Sequence, residues 1–264
     1  MRIGLGQLDI IWEEKKQNQK KCEQMLREAR NHNVDLLIFP EMTLTGFSMN
    51  TDKIGELLEH SDTIDFFKEN SVKYQMSIVF GYVQNQYTKT FNRLVLVDHG
   101  RILIHYAKIH PFSFGEESIY YQGGDTLGQC TLKDYHISTF ICYDLRFPEL
   151  FQICSAKSEL LIVIANWPQP RMEHFQTLLK ARAIENQCYV VGVHRVGEGN
   201  GLIYNGGSGI YDPYGTLITK ETSIEKLIIG DIDKEIVTNY RKNFPQQTDK
   251  RFSLYYSIYK KQQL

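Results

Sequence analysis

Two short stretches of this chain, Asp35-Leu-Leu-Ile-Phe and Glu159-Leu-Leu-Ile-Val-Ile-Ala-Asn, carry no polar residue between their ends. A strand with one face in water alternates apolar and polar residues, whereas an unbroken apolar run belongs to a strand covered on both faces. Each run therefore predicts a strand inside a layered structure. Their likeness to one another suggests a duplicated α/β half. The intervening sequence supplies the covers. Glu14–Asn31 reads as a helix with Cys22, Met25, Leu26 and Ala29 on one stripe, and Glu173–Gln187 as another with Phe175, Leu178, Leu179 and Ala183 on one face. Ser61–Tyr74 reads as a third, more polar helix, and a further one opens near Pro148. Alternating strands are expected at 2–9, 77–83, 92–97, 101–107, 135–142, 189–193, 208–211, 217–219 and 226–231. Turns are expected at Asp98-His-Gly and Asp212-Pro-Tyr-Gly. Strands alternating with helices predict an α/β fold with sheets between helical layers.

Composition narrows the function. The 30 basic and 31 acidic residues leave a net charge of -1 with no block of like charge, which argues against a nucleic-acid surface. No apolar run approaches the roughly 18–20 residues that span a bilayer, so no membrane partner is expected. The N-terminus begins as a strand rather than a signal peptide, so the chain is read as cytoplasmic and mature from residue 1. Five scattered cysteines without a CxxC pair support neither a disulfide framework nor a structural zinc.

Three residues ask for a reason. Glu41 follows an apolar strand and Pro40, which must leave the ladder, so it stands at a strand end where α/β sheets bind ligands. It reads equally as a loop carboxylate or a helix cap. Lys108 continues the apolar face of Ile102, Ile104 and Tyr106; it either snorkels to solvent or is buried beside a carboxylate. Cys142 ends a strand and precedes Pro148 and Glu149, which suit a helix start, so it sits on a strand-to-helix elbow whose amides would favour the thiolate. The alternative is a small core residue, the reading adopted for Cys22, Cys130, Cys154 and Cys188.

The flanks of these residues decide among those readings. Phe39-Pro-Glu-Met-Thr-Leu-Thr-Gly-Phe, Tyr106-Ala-Lys-Ile-His-Pro-Phe and Ile141-Cys-Tyr-Asp-Leu-Arg-Phe-Pro-Glu-Leu resemble, in order, the Glu, Lys and Cys signatures of the nitrilase (carbon–nitrogen hydrolase) superfamily. The resemblance extends over essentially the whole chain. It implies a four-layer αββα sandwich of the nitrilase type over 1–264, a Cys142–Glu41–Lys108 triad, and no metal or organic cofactor. It also implies a second active-site glutamate, assigned to Glu116, with Glu117 its immediate neighbour. Ala165-Asn-Trp-Pro-Gln-Pro-Arg and Leu178-Leu-Lys-Ala-Arg-Ala-Ile-Glu-Asn-Gln-Cys-Tyr-Val resemble the omega-amidase branch, from which Phe175 and His194 depart.

That branch implies hydrolysis of a small carboxylate-bearing amide, such as 2-oxoglutaramate, through a Cys142 thioester. The Tyr143 N–H and Lys108 would hold the oxyanion. Arg146 and Arg171 are candidates to clamp the substrate carboxylate by their planar forks, with Asn166 and Trp167 in the pocket wall. The arginines read otherwise as a loop anchor and a solvated helix-start residue. The rival activities are a nitrilase, an amidase for deaminated glutathione or an N-carbamoyl compound, and a non-catalytic binding member. A papain-like Cys–His enzyme lacks a recognisable histidine partner. The aromatic tail, about 245–264, shows little helical order and is expected to pack on its own domain or across the twofold axis of a homodimer.

Overall fold

The computed structural model describes residues 1–262. The strands are β1 (Arg2–Gln7), β2 (Leu36–Ile38), β3 (Ser77–Gln86), β4 (Lys89–Asp98), β5 (Arg101–Ala107), β6 (Gly128–Leu132) and β7 (Tyr135–Ile141). They continue as β8 (Leu160–Ala165), β9 (Tyr189–His194), β10 (Val196–Gly199), β11 (Leu202–Asn205), β12 (Gly209–Tyr211) and β13 (Lys226–Asp231). The helices are α1 (Lys15–Asn31), α2 (Thr51–Ile54), α3 (Asp62–Tyr74), α4 (Glu117–Tyr120), α5 (Pro148–Ser155), α6 (Met172–Asn186), α7 (Lys234–Asn243) and α8 (Phe252–Lys261).

Two large sheets form, in the orders β13-β1-β2-β3-β4-β5 and β12-β9-β8-β7-β6, and β10 and β11 make a separate antiparallel pair. The centre of each large sheet is parallel: β1, β2 and β3 in one, β7, β8 and β9 in the other. The two apolar runs are thus central parallel strands, one per sheet, and every residue of β2 and β8 is buried. Ile3, Leu5, Ile38 and Val79 of the first sheet share a single buried cluster with Ile137, Ile162 and Val191 of the second. Burying each such residue contributes about 1.5–3 kcal/mol, which is why polar residues are missing from these runs.

Helices close both outer faces. Cys22, Leu26 and Ala29 of α1 and Phe67 of α3 pack with Leu37, Phe39, Ile78 and Phe80, and Phe67 stacks on Phe80 with ring centres 4.1 Å apart. On the far side Phe151 of α5 stacks on Phe140 of β7 at 3.9 Å. Leu179 of α6 lies over Gly192 of β9, where a Cβ would stand 2.3 Å from it. The result is the expected four-layer αββα sandwich. No described helix is long and apolar enough to cross a membrane.

Four expectations are corrected, two of them in the fold. Residues 217–219 do not form a strand: Leu217 makes only an isolated bridge to Tyr211, because the Ile210 N–H is taken by the Thr219 hydroxyl at 3.1 Å. The tail is helical where little helical order was expected. Phe252, Tyr255, Tyr256 and Tyr259 recur at helical spacing, which a string of aromatics conceals when read for alternation. None of the residues of α8 is buried, and residues 263–264 of the tail lie outside the described residues. The other two concern the second glutamate and the thiol and follow below.

Candidate active site

Four strand ends converge between the sheets. Glu41 follows β2, Lys108 follows β5, Cys142 follows β7 and Asn166 follows β8. The two apolar runs therefore end in residues that bond one another: the Asn166 N–H donates to Glu41 Oε2 at 2.8 Å, and its side-chain amide donates to the Glu41 carbonyl at 2.6 Å. The loop after Glu41 is pinned to β3. Thr43 and Gly81 exchange backbone and hydroxyl bonds at 3.0 Å, and a Cβ on Gly81 would stand 2.4 Å from the Met42 nitrogen. Glycine is required there by close approach.

Lys108 is not at the surface; it is 1% exposed, between two fully buried carboxylates. Its ammonium donates to Glu41 Oε1 at 3.1 Å and to Glu117 Oε2 at 2.7 Å, and lies 5.3 Å from the centre of the Phe47 ring. Asn92 on β4 bridges the same pair, donating from Nδ2 to Glu41 at 2.7 Å and to Glu117 at 2.9 Å. Burial alone disfavours the Lys108 ammonium, but Glu117 and then Glu41 outweigh it and hold its pKa well above the ordinary lysine value. The Glu41 carboxyl is raised, by burial first and by Glu117, against the pull of Lys108.

The second glutamate in this cluster is Glu117, not Glu116. Glu116 adopts a left-handed conformation, φ 63°, and caps α4. That turn sends the Glu116 side chain to the wall of the cavity and brings the Glu117 carboxylate inward onto Lys108 and the Phe112 N–H. Two adjacent glutamates look alike in sequence, and only the backbone sign separates them.

Cys142 also has positive φ, 46°, at the start of a short 3-10 turn over Cys142–Arg146. Asp144 holds this strained elbow: its buried carboxylate accepts from the Ile141 N–H at 3.1 Å, the Tyr106 hydroxyl at 2.7 Å and the His110 N–H at 2.9 Å. Arg182 pairs with Glu185 at 3.0 Å and also donates to the Leu145 carbonyl at 2.7 Å. The elbow does not favour the thiolate. Helix α5 begins six residues on, and burial, then Glu41, push the thiol well above its ordinary value, with Lys108 opposing. The sulfur needs a base.

Cys142 opens into a cavity of about 230 Å³. Phe47, Met49, Phe112, Trp167 and Leu202 supply its apolar wall, and Glu116, Tyr143, Arg146, Asn166 and Arg171 its polar groups. Arg146 lies 4.7 Å over the Trp167 ring and donates to His174 at 3.3 Å; Arg171 lies 5.5 Å from the Phe112 ring centre. Among the described residues the arginine ion pairs involve Arg2, Arg182 and Arg195, so Arg146 and Arg171 face the cavity without an ion-pair partner, although Glu116 shares the wall. His194 is buried and neutral, pushed down to about 4 by burial. Its Nε2 accepts from the Trp167 N–H at 2.5 Å while Nδ1 donates to the Arg195 carbonyl at 2.6 Å, fixing the turn after Asn166. Sequence reasoning missed Asn92, Asp144 and this role of His194, because each acts through contacts with residues distant in the chain. Among the described residues no three His, Cys, Asp or Glu side chains converge as a metal site.

A buried Glu–Lys–Glu cluster beside a cysteine, at strand ends between two sheets flanked by helices, defines a carbon–nitrogen hydrolase. The carbon-nitrogen hydrolase family model matches residues 2–242, and this chain belongs to that family. A 2-oxoglutaramate amidase of Bacillus subtilis is 31% identical over 257 residues, covering 96% of this chain and 98% of the relative. An omega-amidase of Escherichia coli is 30% identical, covering 94% and 96%. A carbon–nitrogen hydrolase superfamily protein of Xanthomonas campestris superposes with a TM-score of 0.89 at 29% identity, covering 95% of this chain and 97% of that one. The protein is an amidohydrolase that cleaves carbon–nitrogen bonds of amides.

Proposed function

We propose that the enzyme hydrolyses the terminal amide of a small carboxylate-bearing compound, with 2-oxoglutaramate the lead substrate. Arg146 and Arg171, which have no ion-pair partner among the described residues and line the cavity that holds Cys142, carry this reading. A substrate carboxylate is costly to bury alone, and each guanidinium offers it a charge-assisted pair.

Glu41 takes the Cys142 proton as sulfur attacks the amide carbon; its raised pKa narrows the gap to the raised thiol. Lys108 and the Tyr143 N–H stabilise the tetrahedral oxyanion. Glu41 returns the proton to the departing nitrogen, ammonia leaves, and a thioester remains. Water, deprotonated by Glu41, then releases the acid and restores the thiol. Glu117 and Asn92 keep Lys108 aimed and charged. Glu116, by contrast, acts as a cavity wall.

Ammonia release measured across 2-oxoglutaramate, 2-oxosuccinamate, glutamine, aliphatic amides and nitriles tests the reading. Turnover is expected to be highest on the two oxo-acid amides and absent in Cys142→Ala. Preference for a neutral amide or a nitrile overturns it.

The same reading takes 1–264 as one hydrolase domain that acts as a homodimer. The half-exposed aromatic residues of α8, including Tyr255 and Tyr259, suit a face covered by a second copy. A reducing, cytoplasmic setting suits five unpaired cysteines. Sedimentation at micromolar concentration, with and without 245–264, tests the assembly; a monomer in both cases overturns it.

A further inference from the structure

The active-site cavity does not end at Arg171. A second chamber of about 450 Å³ opens beside it, and the two share Phe112, Gly115, Pro168, Arg171 and Leu202. Beyond that seam the wall is largely apolar, with Phe114, Pro170 and Ile203, and Arg171 is its one charged residue. Phe114 is 84% exposed and Ile203 57%. Apolar side chains scattered over a surface need no explanation, but several gathered around a concavity continuous with a reactive cysteine do. Both sides of the chamber are held by local backbone. Leu202 and Ile203 open β11 directly after a tight turn in which Asn200 and Gly201 have φ of 49° and 72°. Pro170 sits in the short 3-10 turn Gln169–Arg171 that carries the arginine itself.

We propose that this outer chamber is a subsite for an apolar substituent on the carboxylate-bearing carbon of the substrate, and that the enzyme accepts ω-amides acylated on the α-nitrogen, such as N-acylglutamines. The inference rests on the amidase reading above. The terminal amide must reach Cys142 in the inner cavity. The carboxylate pairs with Arg171, which stands at the seam. A third group on the same carbon is then directed outward, into a chamber without a carboxylate. A free ammonium there would face Arg171 unpaired, whereas an acylated nitrogen is neutral and carries an apolar tail that fits the wall. Hydrolysis breaks only the bond between the terminal acyl carbon and its nitrogen: water supplies hydroxyl to that carbon and hydrogen to the nitrogen, giving ammonia and an N-acylglutamate. The amide on the α-nitrogen lies away from the thiol and stays intact.

The test is kcat/KM for ammonia release from N-acetyl-, N-butanoyl- and N-hexanoylglutamine, run beside 2-oxoglutaramate. Burial of the acyl tail is expected to raise kcat/KM about two- to fourfold per added methylene. Phe114→Ser and Ile203→Ser, exposed positions that line only the outer chamber, are expected to flatten the series and leave 2-oxoglutaramate turnover unchanged. A flat series in the wild type with normal 2-oxoglutaramate turnover overturns the subsite alone, as does a gain with acyl length that survives both substitutions. No ammonia from any of these amides overturns the amidase reading together with the subsite.

Discussion

Replacing Glu117 by glutamine preserves the size of the side chain and removes one negative charge from the Glu41–Lys108–Glu117 cluster. Both carboxylates accept from the same Asn92 nitrogen, at 2.7 and 2.9 Å. Their bonded oxygens are therefore within about 6 Å of each other, and at an effective dielectric near 20 their repulsion is about 3 kcal/mol. That repulsion is one of the causes that raise Glu41, after burial. Lys108 bonds both groups and offsets part of it, so the net push on Glu41 is smaller than the bare repulsion. The sign follows from the role of Glu41. It must be ionised to accept the thiol proton, so kcat/KM falls as pH drops through its pKa. In Glu117→Gln that pKa moves down, and Lys108, freed of its second partner, pulls the same way. The acid limb of the kcat/KM profile should therefore shift to lower pH. The midpoint is read rather than the height, so a loss of rate from a looser Lys108 does not obscure the result. In the wild type the apparent value belongs to the coupled pair and not to one residue. Glu116→Gln serves as the comparison and should leave the limb in place. A limb that stays put in Glu117→Gln, or moves upward, refutes the electrostatic account of this cluster.

Iodoacetamide should label Cys142 before the other four cysteines, because it alone lines the cavity. Labelling should slow in Glu41→Gln, as the raised thiol loses its base; peptide mapping by mass spectrometry reads both. Arg171→Ala should raise KM for 2-oxoglutaramate by about 10- to 150-fold, the loss of about 1.5–3 kcal/mol from a charge-assisted contact, and scarcely affect a neutral amide. Equal losses on both would make Arg171 structural. Gly81→Ala should cost about 1–3 kcal/mol in thermal or denaturant unfolding and depress kcat more than KM, since the new Cβ drives into the Met42 nitrogen next to Glu41. Asp144→Asn should lower kcat with little change in KM, because the Cys142 elbow loses the acceptor for its backbone and for Tyr106.

Periodicity carried most of the architecture. Unbroken apolar runs at β2 and β8, and helical stripes at α1 and α6, report solvent exposure residue by residue, and exposure is what layering imposes. The motifs around Glu41, Lys108 and Cys142 likewise singled out residues that the structure brings together at strand ends. Strands β6, β10 and β11 and helix α7 were not read, being short or weakly patterned. The tertiary structure decided what depends on direction and distance. A positive φ at Glu116 chose Glu117 for the cluster. Burial between two sheets raised the Cys142 thiol that a reading of its local amides had lowered. Asn92 acquired its role from Glu41 and Glu117, Asp144 in part from Tyr106 and His110, and His194 in part from Trp167, all more than 20 residues away. A one-dimensional pattern records which face of an element is apolar; it does not record the backbone sign that turns one of two identical side chains inward, nor the field made by charges that meet only when the sheets close.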